Sequence, residues 1–237
     1  MLKKSLAGLA LLPLSLFAAE PASPWSLKAE AGLSFTSGNS NTENLFLSGK
    51  GDYVSGLNEA TLEAKLDRKK SDSNLAKDYR MGSASARHFF NVDRHFYGYG
   101  NLLWEQDTPA GMLTNANLTV GPGWHWLLPQ NMTLDTELGA GYQHSDYRDG
   151  TKDFDGVVWR AYASLNAPIT KRITFGADTL FLVDEERTQN TSHLRLETGL
   201  TRRLTFTTEY EYRYNSNPAS GKKKEDTTLR AVFGYAF

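Results

Sequence analysis

Residues 25–36 read Trp-Ser-Leu-Lys-Ala-Glu-Ala-Gly-Leu-Ser-Phe-Thr, an alternation of apolar and polar side chains. Successive side chains of a β-strand point to opposite faces, so this period of two predicts a strand with one apolar and one polar face. The alternation returns along the rest of the chain, for example at 132–142 and 229–237. The sequence therefore predicts an all-β protein built from repeated two-faced strands.

Twelve such strands can be placed from Trp25 to the C-terminus, ten of them with a clear phase. The phase of the other two, near 78–90 and 95–107, is ambiguous, because either face could carry the apolar side chains. Placing Glu105 on the inner face turns three apolar residues outward, namely Phe96, Leu102 and Trp104.

The predicted connections alternate in length. Five are short and lie at 55–58, 91–94, 129–131, 170–172 and 202–203. Six are longer and lie at 37–42, 69–77, 108–114, 146–155, 184–190 and 215–225. Short turns at one rim and longer loops at the other are typical of an outer-membrane barrel.

Composition excludes several classes of protein. The 237 residues contain no cysteine, which excludes disulfides, cysteine-ligated metals and a cysteine nucleophile. The net charge of −1 leaves no basic surplus to neutralise phosphates, so we expect no nucleic-acid partner. The mean hydropathy of −0.48 is that of a soluble protein, and only the N-terminus carries a long apolar run, which excludes a helical membrane protein.

A soluble β-sandwich would show the same alternation, so three further features are needed to choose between the two folds. The apolar faces run for about 10–12 residues, enough to cross a lipid band of about 25 Å at a tilt near 40°. Tryptophans gather at strand ends, as in interfacial girdles: Trp25 and Trp126 beside short turns, Trp104 and Trp159 beside longer loops. The chain ends on alternating aromatic residues, which we interpret as an assembly signal: Phe233, Tyr235 and Phe237.

These features predict a closed antiparallel transmembrane β-barrel of 12 strands, with short periplasmic turns and longer extracellular loops. Strand edges cannot stay unpaired in hydrocarbon, so the last strand must pair with the first. The charged side chains of the strands then point into the lumen. The candidate lumen-lining residues are Lys28, Glu30, Lys50, Glu63, Lys65, Glu137, Arg160, Asp178, Arg195, Glu197, Glu209, Glu211, Arg213 and Arg230. Inward glycines would leave room for them; these are Gly139, Gly141, Gly176, Gly199 and Gly234.

Opposite charges recur two residues apart on the inner face, as at Lys28 and Glu30, and this allows two interpretations. If ion pairs lace the lumen, they form a structural plug. If they do not, a barrel with a backbone radius of about 12 Å holds a narrow pore for ions or small polar solutes, with a slight acidic excess that favours cations.

Residues 1–19 have the features of a secretory signal peptide, with Lys3 and Lys4 before an apolar run that ends at Ala19. A short lead at 20–24 then precedes the barrel domain, 25–237. We expect Sec-type export, cleavage, and insertion into the outer membrane of a Gram-negative bacterium. The expected partners are the lipid bilayer and lipopolysaccharide, with periplasmic chaperones and the barrel-assembly machinery during biogenesis, and we expect a monomer.

Candidate catalytic and metal-binding residues are few. His144-Ser145-Asp146 and His193 would lie near the outer rim, the latter at the mouth of the tenth strand, where a lipid-modifying acyl hydrolase could act. Neighbouring strand residues face opposite ways, however, so His144 cannot easily activate Ser145. We therefore predict a non-enzymatic protein with no catalytic residue, no metal and no cofactor. His125 is predicted to be a hydrogen-bonded lumen histidine, and Lys222-Lys223-Lys224 a solvated loop that could contact lipopolysaccharide phosphates.

Residues 31–45, which contain Thr36-Ser37-Gly38-Asn39-Ser40, resemble the opening of the YdiY-like family of salt-induced outer-membrane proteins. Those proteins share a first hairpin of the form G-x-S-x-T-S-G-N-S-x-T. The later matches, such as Gly139-Ala140-Gly141-Tyr142 and the Tyr-Ala-Phe ending, are general to barrels. The resemblance implies an outer-membrane barrel with an unassigned biochemical role and a link to salt or osmotic adaptation, and it supplies no catalytic residues.

Overall fold

A computed structural model describes residues 23–36, 42–71, 74–148 and 153–237. The expected signal peptide, 1–19, and residues 20–22 of the expected lead lie outside the described residues. The strands, numbered in chain order, are β1 (Trp25–Thr36), β2 (Thr42–Ser55), β3 (Asn58–Ser71), β4 (Asn74–Phe89), β5 (Phe96–Asp107), β6 (Met112–Leu128), β7 (Met132–Tyr147), β8 (Phe154–Pro168), β9 (Ile173–Val183), β10 (Thr188–Gly199), β11 (Leu204–Asn215) and β12 (Glu225–Ala236).

These strands form the closed 12-stranded antiparallel barrel that the sequence predicts. Each strand pairs with the next along the chain, and β12 returns to pair with β1, where Ala31 lies opposite Phe233. Within the described residues this join covers four residue pairs, and it closes the sheet, as a sheet in hydrocarbon requires. Two short 3₁₀ turns form part of the connections: Thr108–Ala110 between β5 and β6, and Pro129–Asn131 between β6 and β7.

Within the described residues, no helix is long and apolar enough to cross a membrane.

The outer face of the barrel is apolar and exposed. Leu62, Leu138 and Leu229 are 55%, 66% and 73% exposed, values that the core of a soluble protein would not show. Tryptophans lie near both ends of this belt: Trp25, Trp124 and Trp126 at one end, Trp104 and Trp159 at the other. The sequence-based sorting of the strands into faces is therefore correct.

The ambiguous phases of β4 and β5 are resolved. Glu105 is buried inside, while Phe96, Leu102 and Trp104 are exposed outside, as the preferred placement required. β4 carries Tyr79 and Arg87 on its inner face. Its outer face is weakly apolar, with Arg80 at one end and three small residues after it, so its alternation has little contrast: Gly82, Ala84 and Ala86.

We call the end of the barrel that holds the β2–β3 turn, the start of β1 and the end of β12 the turn rim, and the opposite end the loop rim. The predicted contrast in loop length is smaller than expected, and the predicted loop at 69–77 is wrong. β3 continues to Ser71 and β4 begins at Asn74, because their pairing continues past the lysines through a bulge at Lys69/Lys70. At the turn rim, the β4–β5 connection spans six residues, 90–95. At the loop rim, only the β11–β12 connection is longer than that, with nine residues at 216–224.

The interior differs between two sides of the barrel. On β5–β8, which we call the packed side, inward side chains bury one another; Leu103 and Val158 join Leu182 of β9 in an apolar cluster. The other strands, β9–β12 and β1–β4, form what we call the open side; their inward side chains line a cavity that inward residues of β5–β8, such as Glu105 and Arg160, border on its far side. The inward apolar side chains of the cluster come on top of the predicted outward belt; they meet across the lumen and form a small core.

Candidate functional site: the charged lumen

A cavity of about 1180 Å³ occupies the lumen and is lined by residues from both rims. Asp52 and Glu59 line it near the turn rim, and Asp107 and Lys224 near the loop rim. Most of its lining side chains are polar or charged, since they belong to the polar face of the strands. The lumen is therefore the concave surface on which function must be sought.

The structure places all 14 predicted lumen residues on the inner face. Thirteen of them line the cavity, and Arg230 bonds to lumen carboxylates beside it. They do not act as isolated charges. Several of them belong to two networks with different environments, one at the turn rim and one across the middle of the barrel, while others form smaller pairs, such as Lys28 with Glu30.

The first network, the turn-rim cluster, is centred on Glu137 of β7, which is 4% exposed. Its carboxylate accepts from the Arg87 guanidinium at 2.7 Å, from the Arg160 guanidinium at 2.5 Å, and from the Tyr97 hydroxyl at 3.1 Å. Arg87 also donates to Asp135 at 3.0 Å. Two guanidinium groups sharing one carboxylate make a strong, directional unit that fixes the wall at this end.

Aromatic rings cover the same arginines. The Arg87 guanidinium lies 4.8 Å from the centre of the Tyr97 ring, and that of Arg160 lies 4.8 Å from the centre of the Tyr99 ring. Such cation–π contacts gain strength where water is excluded. The turn-rim cluster is therefore packed like a core although it is made of charged residues.

Glycines make room for this packing. A Cβ on Gly123 would lie 2.3 Å from the Tyr97 ring, and one on Gly139 would lie 2.2 Å from the Tyr99 hydroxyl. The prediction that inward glycines leave space for large neighbours is correct for Gly139. Gly141 serves instead to bring two strands together, because its Cβ would meet the Leu118 carbonyl of β6 at 1.8 Å.

The second network, the central ladder, crosses the open side. Arg230 of β12 donates to Glu209 at 2.7 Å and to Asp67 and Glu211 at 3.0 Å each. Lys77 of β4 lies 2.9 Å from the same Asp67 carboxylate. The ladder thus ties β3 and β4 to β11 and β12 through lumen side chains, and it leaves each carboxylate with a cationic partner.

A third contact spans the full width of the lumen near the loop rim. Arg213 of β11 donates to Glu105 of β5 at 2.7 Å, and these strands lie on opposite sides of the barrel. Tyr79 and Asn115 also donate to the Glu105 carboxylate, at 2.7 and 3.1 Å. We call Arg213–Glu105 the transluminal bridge, since an ion or solute moving along the lumen must pass beside it.

The sequence analysis missed several lumen residues. Lys77, Tyr79 and Arg87 lie on β4, whose phase was not assigned, and they take part in all three contacts. The alternation Lys77, Tyr79, Met81, Ser83, Ser85, Arg87 contains the signal, but only when the weakly apolar opposite face is accepted as the outer one. The inward apolar cluster had a clearer signal, because Val157-Val158 and Leu180–Val183 are apolar on both faces, the pattern of a strand buried on both sides.

A loop covers part of the loop-rim opening. Residues 216–224, which we call the strap, connect β11 to β12 and carry Ala219 across to Met112 and Tyr147, where it is buried. A Cβ on Gly111 would lie 2.5 Å from Ala219, so this glycine admits the strap. Lys222–Lys224 belong to the strap, and they are exposed as predicted while also lining the cavity.

The three histidines singled out in the sequence, His125, His144 and His193, lie in different settings. His144 is half exposed and lies 3.4 Å from Asp146 and 3.8 Å from Asp155, whereas Ser145 is fully buried on the opposite face. The side chains of His144 and Ser145 therefore point to opposite faces of the strand, as its geometry requires, and His144 does not activate Ser145. His125 faces inward and bonds to Asp135 at 2.5 Å.

His193 is not at the mouth of its strand. It lies in the middle of β10, buried, with Asp178 at 2.8 Å and Glu211 at 3.4 Å. The prediction failed because the strand begins at Thr188, within the segment expected to be a loop. Its neighbours are carboxylates of the central ladder, so His193 is a further link in that network.

One trio of side chains has the spacing of a metal site: His193, Glu209 and Glu211 offer ligand atoms within 4.8 Å of one another. Both carboxylates already accept from Arg230, and Arg195 lies 3.6 Å from Glu209. These positive charges oppose a metal cation at the same place. The trio is therefore better described as part of the central ladder.

The chain belongs to the family described as "Protein of unknown function, DUF481", which matches residues 29–237. The YdiY-like resemblance is consistent with that family. The chain matches none of the curated proteins. The family and the closed barrel together define the class, a β-barrel of the outer-membrane type.

Solved structures that are similar to this chain share little sequence with it. An outer membrane channel from Pseudomonas putida F1 is similar over 92% of this chain and 97% of that one, with a TM-score of 0.55 and 9% identity. The KdgM porin matches over 90% and 99% with a TM-score of 0.46 and 13% identity. The translocator domain of the autotransporter NalP from Neisseria meningitidis matches over 92% and 90% with a TM-score of 0.46 and 11% identity.

Proposed function

We propose that this protein is a narrow, non-enzymatic channel for ions and small polar solutes in the bacterial outer membrane. The observation that carries the proposal is the cavity of about 1180 Å³ lined by polar and charged residues from one rim to the other. A barrel that only plugged the membrane would have no need of such a space.

The size of the cavity limits what could pass. Spread over the roughly 25 Å height of the lipid band, 1180 Å³ gives a mean cross-section of about 47 Å², that of a cylinder about 4 Å in radius. Hydrated ions and small solutes fit this width, whereas folded or large substrates do not. Ion pairs narrow the path on both sides of the barrel, and the conduit is the space that remains beside them on the open side.

The transluminal bridge is the proposed constriction. Removing both of its charges, in Arg213→Ala with Glu105→Ala, keeps the net charge of the lumen and clears the contact that crosses it. We expect single-channel conductance in a planar bilayer to rise by about twofold. The matched control is Lys50→Ala with Asp52→Ala, which removes an ion pair of 3.2 Å that runs along one strand. This control should leave conductance nearly unchanged.

The folded state of each barrel is checked by its heat-dependent electrophoretic shift, so that a misfolded variant is not scored. Arg213→Gln with Glu105→Gln serves as a second, milder variant. A folded parent that carries no current at low or high salt would contradict the channel, and so would a bridge variant that conducts like the control.

The cellular setting is proposed on other grounds. The N-terminal sequence supports Sec-type export, the terminal aromatic residues Phe233, Tyr235 and Phe237 support recognition by the barrel-assembly machinery, and these three side chains face outward. A link to salt or osmotic adaptation rests on the resemblance of the first hairpin. Slower growth of a deletion strain at high salt, restored by the parent gene and not by a non-conducting variant, would support it.

A further inference from the structure

The two mouths of the lumen carry opposite charge. Near the loop rim, the relevant side chains are those that line the cavity and belong either to the strap or to the four residues of each strand nearest that rim. Six of these are basic: Lys69, Lys77, Arg213, Lys222, Lys223 and Lys224. Three are acidic: Glu105, Asp107 and Asp226.

The turn rim, treated in the same way, has the reverse balance. Four cavity-lining side chains there are acidic: Asp52, Glu59, Asp135 and Glu197. Two are basic, Lys28 and Arg87. Between the mouths, the central ladder sets acids against bases. The lumen is therefore positive at one end and negative at the other.

The basic mouth also holds charges that are not neutralised by contact. Lys69 and the three strap lysines make no ion pair within the part of the chain that the structure describes. Lys77 and Arg213, by contrast, are held by Asp67 and Glu105. The strap is anchored across the opening by Ala219, so Lys222–Lys224 stay beside the entrance instead of dispersing into solvent.

We propose that the lumen is electrically bipolar, that its loop-rim mouth is a vestibule for small multivalent anions, and that the channel consequently rectifies ionic current. The rectification rests on the proposed channel function, whereas anion binding at the vestibule does not. A cleft lined by one sign of charge raises the local concentration of counter-ions. Anions are thus concentrated at the loop mouth and cations at the turn mouth.

The direction of rectification follows. When the chamber facing the turn rim is positive, cations enter through the acidic mouth and anions through the basic mouth, so both carriers accumulate inside. The opposite voltage draws both out and depletes the lumen. We expect about a twofold larger current for the first polarity at low salt. The ratio should approach one in 1 M KCl, where the Debye length falls to about 3 Å.

The test compares the parent with Lys222→Gln, Lys223→Gln and Lys224→Gln combined. The matched control removes three charges at the turn rim outside the lumen cavity, in Lys171→Gln, Arg172→Gln and Arg202→Gln. Pyrophosphate is added to one chamber at a time, and the chamber from which it blocks the current is the one that faces the loop rim. The parent and the control should rectify and be blocked, while the strap variant should conduct almost symmetrically and resist block.

Calorimetric titration of each folded, detergent-solubilised barrel with pyrophosphate separates the two proposals. The strap variant should bind about tenfold more weakly than the parent and the control in 50 mM KCl. If the parent carries no current but shows this difference, the channel fails and the vestibule stands. Equal pyrophosphate affinity in all three proteins, or a conducting parent with a symmetric current, would overturn the inference.

Discussion

Four inward-facing serine and threonine residues differ in their exposure between the two sides of the barrel. Ser48 on β2 and Ser83 on β4 line the cavity of the open side. Thr119 on β6 and Ser145 on β7, on the packed side, have no exposed surface. The residue types are alike, so the difference comes from what lies across the lumen. An inward polar side chain on a barrel strand is therefore not by itself a water-facing one.

At the turn rim the two sides hold their lumen charges differently. On the packed side, the turn-rim cluster places one carboxylate between two guanidinium groups and covers those groups with tyrosine rings. On the open side, pairs such as Lys50 and Asp52 remain half exposed along a single strand. We infer that the packed side stabilises the barrel and that the open side conducts, and the following changes test that division.

The largest expected effect is on the turn-rim cluster. Glu137→Ala leaves Arg87 and Arg160 without their shared carboxylate, and breaking a buried ion pair in this way costs about 3–5 kcal/mol. Asp52→Ala, on the open side, should cost less than about 1 kcal/mol, because its partner stays solvated. Urea unfolding of both variants in lipid or detergent, followed by tryptophan fluorescence, measures the difference. Equal losses would show that the two sides are held alike.

A smaller effect is expected from adding one methyl group to an inward glycine. Gly139→Ala forces a Cβ against the Tyr99 hydroxyl and the Val120 carbonyl, and overpacking of this kind costs about 1–3 kcal/mol. Gly176→Ala, an inward position beside the cavity, meets nothing closer than Arg195 at 3.6 Å and should be nearly neutral. The same unfolding measurement applies. A neutral Gly139→Ala variant would mean that the packed side is loose.

Much of the fold could be predicted from sequence, because a lipid-facing sheet has a strong pattern. The twelve strands, their closure and the outward aromatic girdles follow from a period of two with charges on one face. The division into sides could not be predicted. It depends on which inward residues meet across the lumen, and Leu103 reaches Val158 and Leu182 from strands distant in sequence.

The strap shows the same limit. Residues 216–224 are polar, basic and rich in small side chains, and they were predicted to be a solvated loop. Their course over the opening is fixed by hydrogen bonds that link residues 216 and 217 to the 186–188 segment, and by two residues that meet across the mouth, Ala219 with its buried methyl group and Gly111. Neither residue has a distinctive sequence signal. The predicted position of His193 was wrong for a related reason. β10 begins at Thr188, inside a polar segment that was predicted to be a loop, so the residue lies in the middle of the strand and not at its end.

The most direct test of the division is the reactivity of single cysteines with a small, water-soluble thiol reagent, because the chain has no cysteine of its own. Ser48→Cys and Ser83→Cys, on the open side, are compared with Ser145→Cys, on the packed side, in the folded barrel in lipid. Water in the conduit predicts rapid labelling of the two open-side cysteines and protection of the third until the barrel is unfolded. Protection of all three would contradict a water-filled open side, and equally fast labelling of all three would contradict a packed one.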